Sequence, residues 1–196
     1  MDILPFPGTH GFYMHEPHIL DSGKTFVACV YGSLPVKLEE FGRPAEETWI
    51  VTGDLDNIAI QESNKFSASN APATGPLGWD YARANAVDKN PAGDYIVSMR
   101  FIDTIYGDFD QKFTFSKQHG AKFVSSKNYI YMISLLNNTS DEDSNDEDVS
   151  SILHIELDTL SVTARVIKRV KRPDGKLTRL RGNTYILPNI IFVGWS

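Results

Sequence analysis

The apolar residues of this chain fall in short runs rich in Val, Ile, Tyr, Phe and Thr, separated by clusters of turn-forming residues, and a helical repeat is hard to find. The unit that recurs is an aliphatic pair, a turn, then an apolar strand. It reads HILDSGKTFVACVY at 18–31, NAVDKNPAGDYIVSMRF at 85–101, AKFVSSKNYIYMISLL at 121–136 and NTYILPNIIFVGWS at 183–196. A further pair, SILHIELDT at 151–159 and VTARVIKRV at 162–170, turns across Asp158, Thr159, Leu160 and Ser161, with a Pro-Asp-Gly turn after it. The pattern predicts an all-β protein made of antiparallel hairpins. Hairpins repeated on one design suggest blades of a β-propeller, each small sheet burying its faces against its neighbours. Propellers close with about four to eight blades, and the strands here suffice for about three or four. The expectation is therefore a single partial propeller over residues 1–196, either an open ring or part of a longer protein, with bare edges that invite self-association.

One strand breaks its own pattern. YIVSMR places Arg100 where a buried strand would take another apolar side chain.

Composition narrows the class. Hydrophobic residues make up 41% of the 196 and charged residues 22%, the balance of a globular chain with a core. The formal net charge of -6 speaks against nucleic acid as the main partner, since phosphate binding needs a field of the other sign or a localised basic face. Cys29 is the only cysteine, which excludes an intrachain disulfide and a zinc site built from cysteine pairs. The first twenty residues show neither a basic region nor an uninterrupted apolar one, and no run reaches the roughly 18 apolar residues of a membrane span. A soluble chain without membrane insertion is expected, and no compartment is assigned.

Two charge blocks stand out. TSDEDSNDEDVS at 139–150 lacks the glycine and terminal glutamate of an EF-hand, so it reads as a solvated acidic loop. Overlapping glycosylation sequons at Asn137 and Asn138 precede it and matter only in a secretory pathway. RVIKRVKRPDGKLTRLR at 165–181 sets eight basic residues along a hairpin. It has no interleaved aromatic platform, which favours a charged sheet edge that discourages strand addition over a nucleic-acid or anion patch.

Five histidines are the side chains suited to nucleophilic or proton-transfer work near neutral pH. His10 sits in a glycine-flanked loop. His154 alternates with aliphatic residues on one face of a strand. His15 and His18 flank Pro17, which breaks any helix and excludes a zinc-protease motif. His119, in FTFSKQHGAKFV, opens a strand beside a glycine that permits close approach of a ligand.

Taken in order, DLDNIAIQES, GWDYARANAVDKNPAGDYIVSMRFIDTIY, KQHGAKF, SILHIELDT and GNTYILPNIIFVGWS resemble the arylsulfotransferase family, above all its fungal branch. The resemblance implies a six-bladed propeller with the active site in its central funnel. It implies a histidine that attacks the sulfur of an aryl sulfate, forms a sulfohistidine and passes the sulfuryl group to a phenol, with no metal or diffusible cofactor. Its small-molecule partners are the aryl sulfate and the phenol, and family members are usually exported or membrane-tethered. His119 falls at the nucleophile and Arg100 at the sulfate-binding arginine, which offers a reason for the arginine in the strand: a planar guanidinium grips an oxyanion with two donors. Asn85 also matches, and His15 is the choice for the histidine nearer the N-terminus, with His18 as the alternative.

The chain departs from the family pattern at three positions. Arg83 replaces a histidine that would carry protons, Phe101 replaces a second histidine, and Gly120 stands where an aspartate is expected. Arginine binds anions but is a poor acid or base near neutrality. Two functions follow as expectations, sulfuryl transfer with impaired turnover, or a non-catalytic propeller module that binds.

Overall fold

A computed structural model of the chain describes residues 11–12, 18–20, 25–33, 46–54, 59–66, 84–100, 105, 109–141, 144–187 and 189–196. Every regular element among these residues is a β-strand, as the short apolar runs predict. None forms a helix long and apolar enough to cross a membrane. The chain divides into two compact units, residues 1–87 and 88–196.

Among the described residues, the first unit holds a five-stranded sheet. Its strands are β1 (Gly11–Phe12), β2 (His18–Leu20), β3 (Thr25–Ser33), β4 (Glu46–Asp54) and β5 (Ala59–Phe66), in the order β1-β3-β4-β5, with β2 also paired to β3. The predicted hairpin at 18–31 is present, running antiparallel from His18 opposite Val27 to Leu20 opposite Thr25. Leu20 and Val27 are buried.

The division falls inside β6 (Ala84–Lys89), which forms a two-stranded sheet with β7 (Tyr95–Met99). The turn between them shows why NPAGD ends one strand and starts the next. Asn90 Oδ1 accepts from the Asp94 amide at 2.9 Å while Gly93, at φ 98°, closes back on the Asn90 carbonyl at 3.0 Å.

The second unit is built on β8 (Asp110–Gln111), β9 (His119–Lys127), β10 (Ile130–Asn137), β11 (Ser151–Asp158) and β12 (Thr163–Lys171), ordered β8-β12-β11-β10-β9. β13 (Asn183–Ile186) and β14 (Ile191–Gly194) form a separate hairpin. The core follows from where apolar runs are longest. Ile133, Leu135 and Leu136 of β10 and Ile152, Leu153 and Ile155 of β11 are buried, so both faces of these two strands are partly covered. Leu136 also packs where any side chain at Gly182 would stand, and a Cβ there would lie 2.9 Å from the Gly194 carbonyl oxygen. With φ at 107°, position 182 therefore admits only glycine.

Turn chemistry sets the registers. Asn128 and Tyr129, both with positive φ, make the tight β9–β10 turn. Asp158 Oδ1 accepts from the amides of Leu160 at 2.9 Å and Ser161 at 3.1 Å, which shapes the β11–β12 turn where the sequence places it. β12 forms the charged side of the sheet, with β8 pairing only Thr163 and Ala164. Three of the eight basic residues of 165–181 pair with carboxylates: Arg165 to Glu156 at 2.7 Å, Arg169 to Glu147 at 2.7 Å and Arg172 to Asp174 at 2.8 Å. This is the edge reading of 165–181, since a lattice of paired charges offers little to a further strand.

Candidate functional site

β7 ends at Met99, so Arg100 stands just past the strand rather than within it as its run suggests. β9 begins at His119. One side chain ties these two strand ends together: Gln118 Nε2 donates to the Met99 carbonyl at 2.6 Å. The immediate neighbours of that bond are Arg100 and His119, each only 4% exposed. Burying a guanidinium is costly unless its donors are met. Arg100 Nη2 donates to the Arg179 carbonyl at 3.1 Å, so a backbone dipole contributes to holding it in this position.

His119 is set between two left-handed residues, Lys117 at φ 53° and Gly120 at φ 61°. The turn at Lys117 brings its carbonyl oxygen to 3.1 Å from His119 Nδ1, and Asn138 Oδ1 lies 3.2 Å from the same nitrogen. A carbonyl oxygen only accepts, so in the neutral ring Nδ1 carries the proton and Nε2 the lone pair. Gly120 has little free space on the side where a side chain would stand. A Cβ there would sit 3.0 Å from Asn183 Oδ1 and 3.3 Å from Asn183 Cα, so β13 takes that space. The aspartate expected at this position would meet the same obstacle.

The acidic loop differs from its reading as purely solvated. Ser144, Asn145, Asp146 and Asp148 face water, but Thr139, Ser140 and Ser150 are buried, and the loop closes on an internal cation. Lys117 Nζ donates to the Ser144 carbonyl at 3.0 Å and to Ser144 Oγ at 2.6 Å, with Asp146 at 3.2 Å and Asp141 at 3.5 Å. An ammonium thus occupies the centre of these oxygens, where a calcium reading would put a metal. No cluster of three or more potential metal-ligating His, Cys, Asp or Glu side chains occurs among the described residues. The loop anchors Lys117, and the Lys117 backbone in turn holds His119.

A third segment completes the surroundings. Thr178 pairs with Thr139, the Arg179 carbonyl accepts from Arg100, and the Arg181 carbonyl accepts from Asn138 Nδ2 at 2.9 Å. The side chains of Arg179, Leu180 and Arg181 are exposed, so the segment turns carbonyls inward and charges outward.

Of the residues expected at the site, the structure therefore brings the strand ends bearing Arg100 and His119 together. Asn85 is buried in β6. His18 belongs to β2, and His15, Arg83 and Phe101 lie outside the described residues. His154 is in the middle of β11 opposite Ser134 and Lys168, as one face of a sheet. Burial, reinforced by the Lys168 charge, lowers its pKa. Lys117, Gln118 and Asn138 were not foreseen. The first two are visible in KQHGA only as neighbours of the histidine, and Asn138 is disguised as a sequon.

The arrangement sets a buried imidazole and a buried guanidinium on neighbouring strand ends. No curated protein and no solved structure matches the chain. A family model described as Arylsulfotransferase (ASST) matches residues 8–195. The chain belongs to the arylsulfotransferase family.

Proposed function

We propose that this protein transfers a sulfuryl group from an aryl sulfate to a phenol, with His119 as nucleophile and Arg100 holding the sulfuryl oxygens. In this reading Nε2 of His119 gives its lone pair to sulfur, the sulfur–oxygen bond to the donor breaks, and the donor leaves as a phenolate. The acceptor phenol then attacks sulfur, the nitrogen–sulfur bond breaks, and the lone pair returns to Nε2. The acceptor's proton balances the phenolate released in the first half. The Arg100 guanidinium stabilises charge on the three sulfuryl oxygens as it redistributes. No metal or diffusible cofactor takes part in the proposed steps.

The observation that carries the reading is the Gln118 to Met99 hydrogen bond, which ties together the backbone positions beside a buried imidazole and a buried guanidinium in a chain of this family. In the same reading the sheets are blades of a propeller, Arg83 and Asn85 contact substrate, and His15 or His18 is the second histidine. The fungal-type sequence pattern supports these assignments.

The test is an assay with an aromatic sulfate donor and a phenol acceptor, coupled to acid-sparing peptide mapping of a trapped N-sulfohistidine. Transfer that survives in His119→Ala removes the assigned nucleophile. The replacement of a histidine by Arg83 favours a second reading, a binding module for aryl sulfates. Thermal stabilisation by an aryl sulfate, lost in Arg100→Ala and without turnover in the parent chain, would select it.

A further inference from the structure

Asn138 lies one residue past the end of β10 and is fully buried. Its backbone carbonyl accepts from Thr139 Oγ1 and from Ser150 Oγ, both at 2.6 Å, so the residue is held independently of its side chain. Its Nδ2 donates to the Arg181 carbonyl at 2.9 Å. Because that carbonyl only accepts, the amide cannot be turned over. A rotated amide would set oxygen against oxygen at Arg181 and an N–H against the imidazole proton. Oδ1 is thereby directed to His119 Nδ1.

We propose that Asn138 is a positioning residue that, with the Lys117 carbonyl, keeps the His119 proton on Nδ1 and aims the lone pair of Nε2. The Lys117 carbonyl alone does not suffice, because it lies two residues away on the same backbone and moves with the ring. Asn138 follows the end of β10 and is bound to the Arg181 carbonyl of the 178–183 segment, and so fixes the ring against the rest of the sheet. Asn137 strengthens the same junction, accepting from the Ser116 amide at 2.8 Å and donating to Glu147 at 3.1 Å. The role deepens the nucleophile assignment, and its kinetic consequence rests on that reading, whereas the tautomer does not. A glycan on Asn138 is incompatible with this arrangement, since the acceptor nitrogen is already committed to Arg181 inside the fold.

The experiment is two-bond proton–nitrogen correlation of the full chain with nitrogen-labelled histidine, at a pH where the ring is neutral. His119 is expected as the Nδ1–H tautomer; a ring protonated on Nε2 overturns the proposal. In Asn138→Ala the Nε2–H form should rise about fivefold to tenfold, the worth of one hydrogen bond, and kcat should fall by a similar factor at unchanged KM. An unchanged tautomer ratio in folded Asn138→Ala overturns the role, and if that variant does not fold the parent spectrum decides. A chain with the expected tautomer and its dependence on Asn138, yet without sulfuryl transfer, supports the positioning role while sinking the nucleophile assignment.

Discussion

His119 and His154 stand on strands of the same sheet, and their surroundings make them different chemical objects. His119 opens β9 between two left-handed residues and has two acceptors aimed at one ring nitrogen. His154 sits in the middle of β11, where burial and the nearby Lys168 lower its pKa, and its Nε2 is buried with no hydrogen-bond partner among the described residues. The irregular backbone at the strand start delivers acceptors to a ring, whereas the regular ladder in mid-strand commits its carbonyls to neighbouring strands. A histidine ring is met by acceptors where the sheet begins and packed without them where the sheet is regular.

The sharpest way to break this contrast is to remove each ring in turn. His119→Ala should lower sulfuryl transfer by at least about a thousandfold, while His154→Ala should leave it within roughly threefold in an initial-rate assay. Equal losses would erase the distinction. Arg100→Lys retains the charge but loses the planar fork, and a fall of about a hundredfold in kcat/KM is expected.

A smaller effect probes the support under His119. Lys117→Met leaves Asp141 and Asp146 without the ammonium and should cost about 1–2 kcal/mol in urea denaturation, with the His119 tautomer loosened as well. A stable variant with unaltered His119 resonances would detach the acidic loop from the site.

The weakest effect belongs to His154. Its folded pKa lies below the ordinary 6.5, so the folded state binds fewer protons than the unfolded one as the pH drops. Stability from this group is present above about pH 6.5 and is lost as the pH falls through the folded value. Thermal midpoints should decline across that window, and His154→Leu should flatten the decline. A profile identical in both proteins would show that the ring is not held neutral by the fold.

Much of the second unit is legible before any coordinates. The runs at 121–136 and 151–170 become β9 to β12 because period-two apolar residues and turn formers agree locally, and Asn128 and Asp158 turn the chain where their side chains predict. His119 and Arg100 are legible as well, through family motifs. The acidic loop shows the limit. Its carboxylates read as solvated because a lysine two residues before His119 gives no sign that it reaches across to residue 144. Asn138 reads as a glycan acceptor for the same reason, since a three-residue sequon carries no information about burial.

Local sequence by itself determined the all-β class, the hairpins and their turns, because these depend on residues within a few positions of one another. Only the tertiary structure decided which polar groups are buried and what they face. Gln118 meets Met99, Arg100 meets Arg179 and Asn138 meets both Arg181 and His119, across separations that no local pattern encodes. The physical reason is that a buried donor or acceptor must find a partner wherever the folded chain supplies one. At this site the partners are mostly backbone carbonyls, whose directions exist only once the strands have assembled.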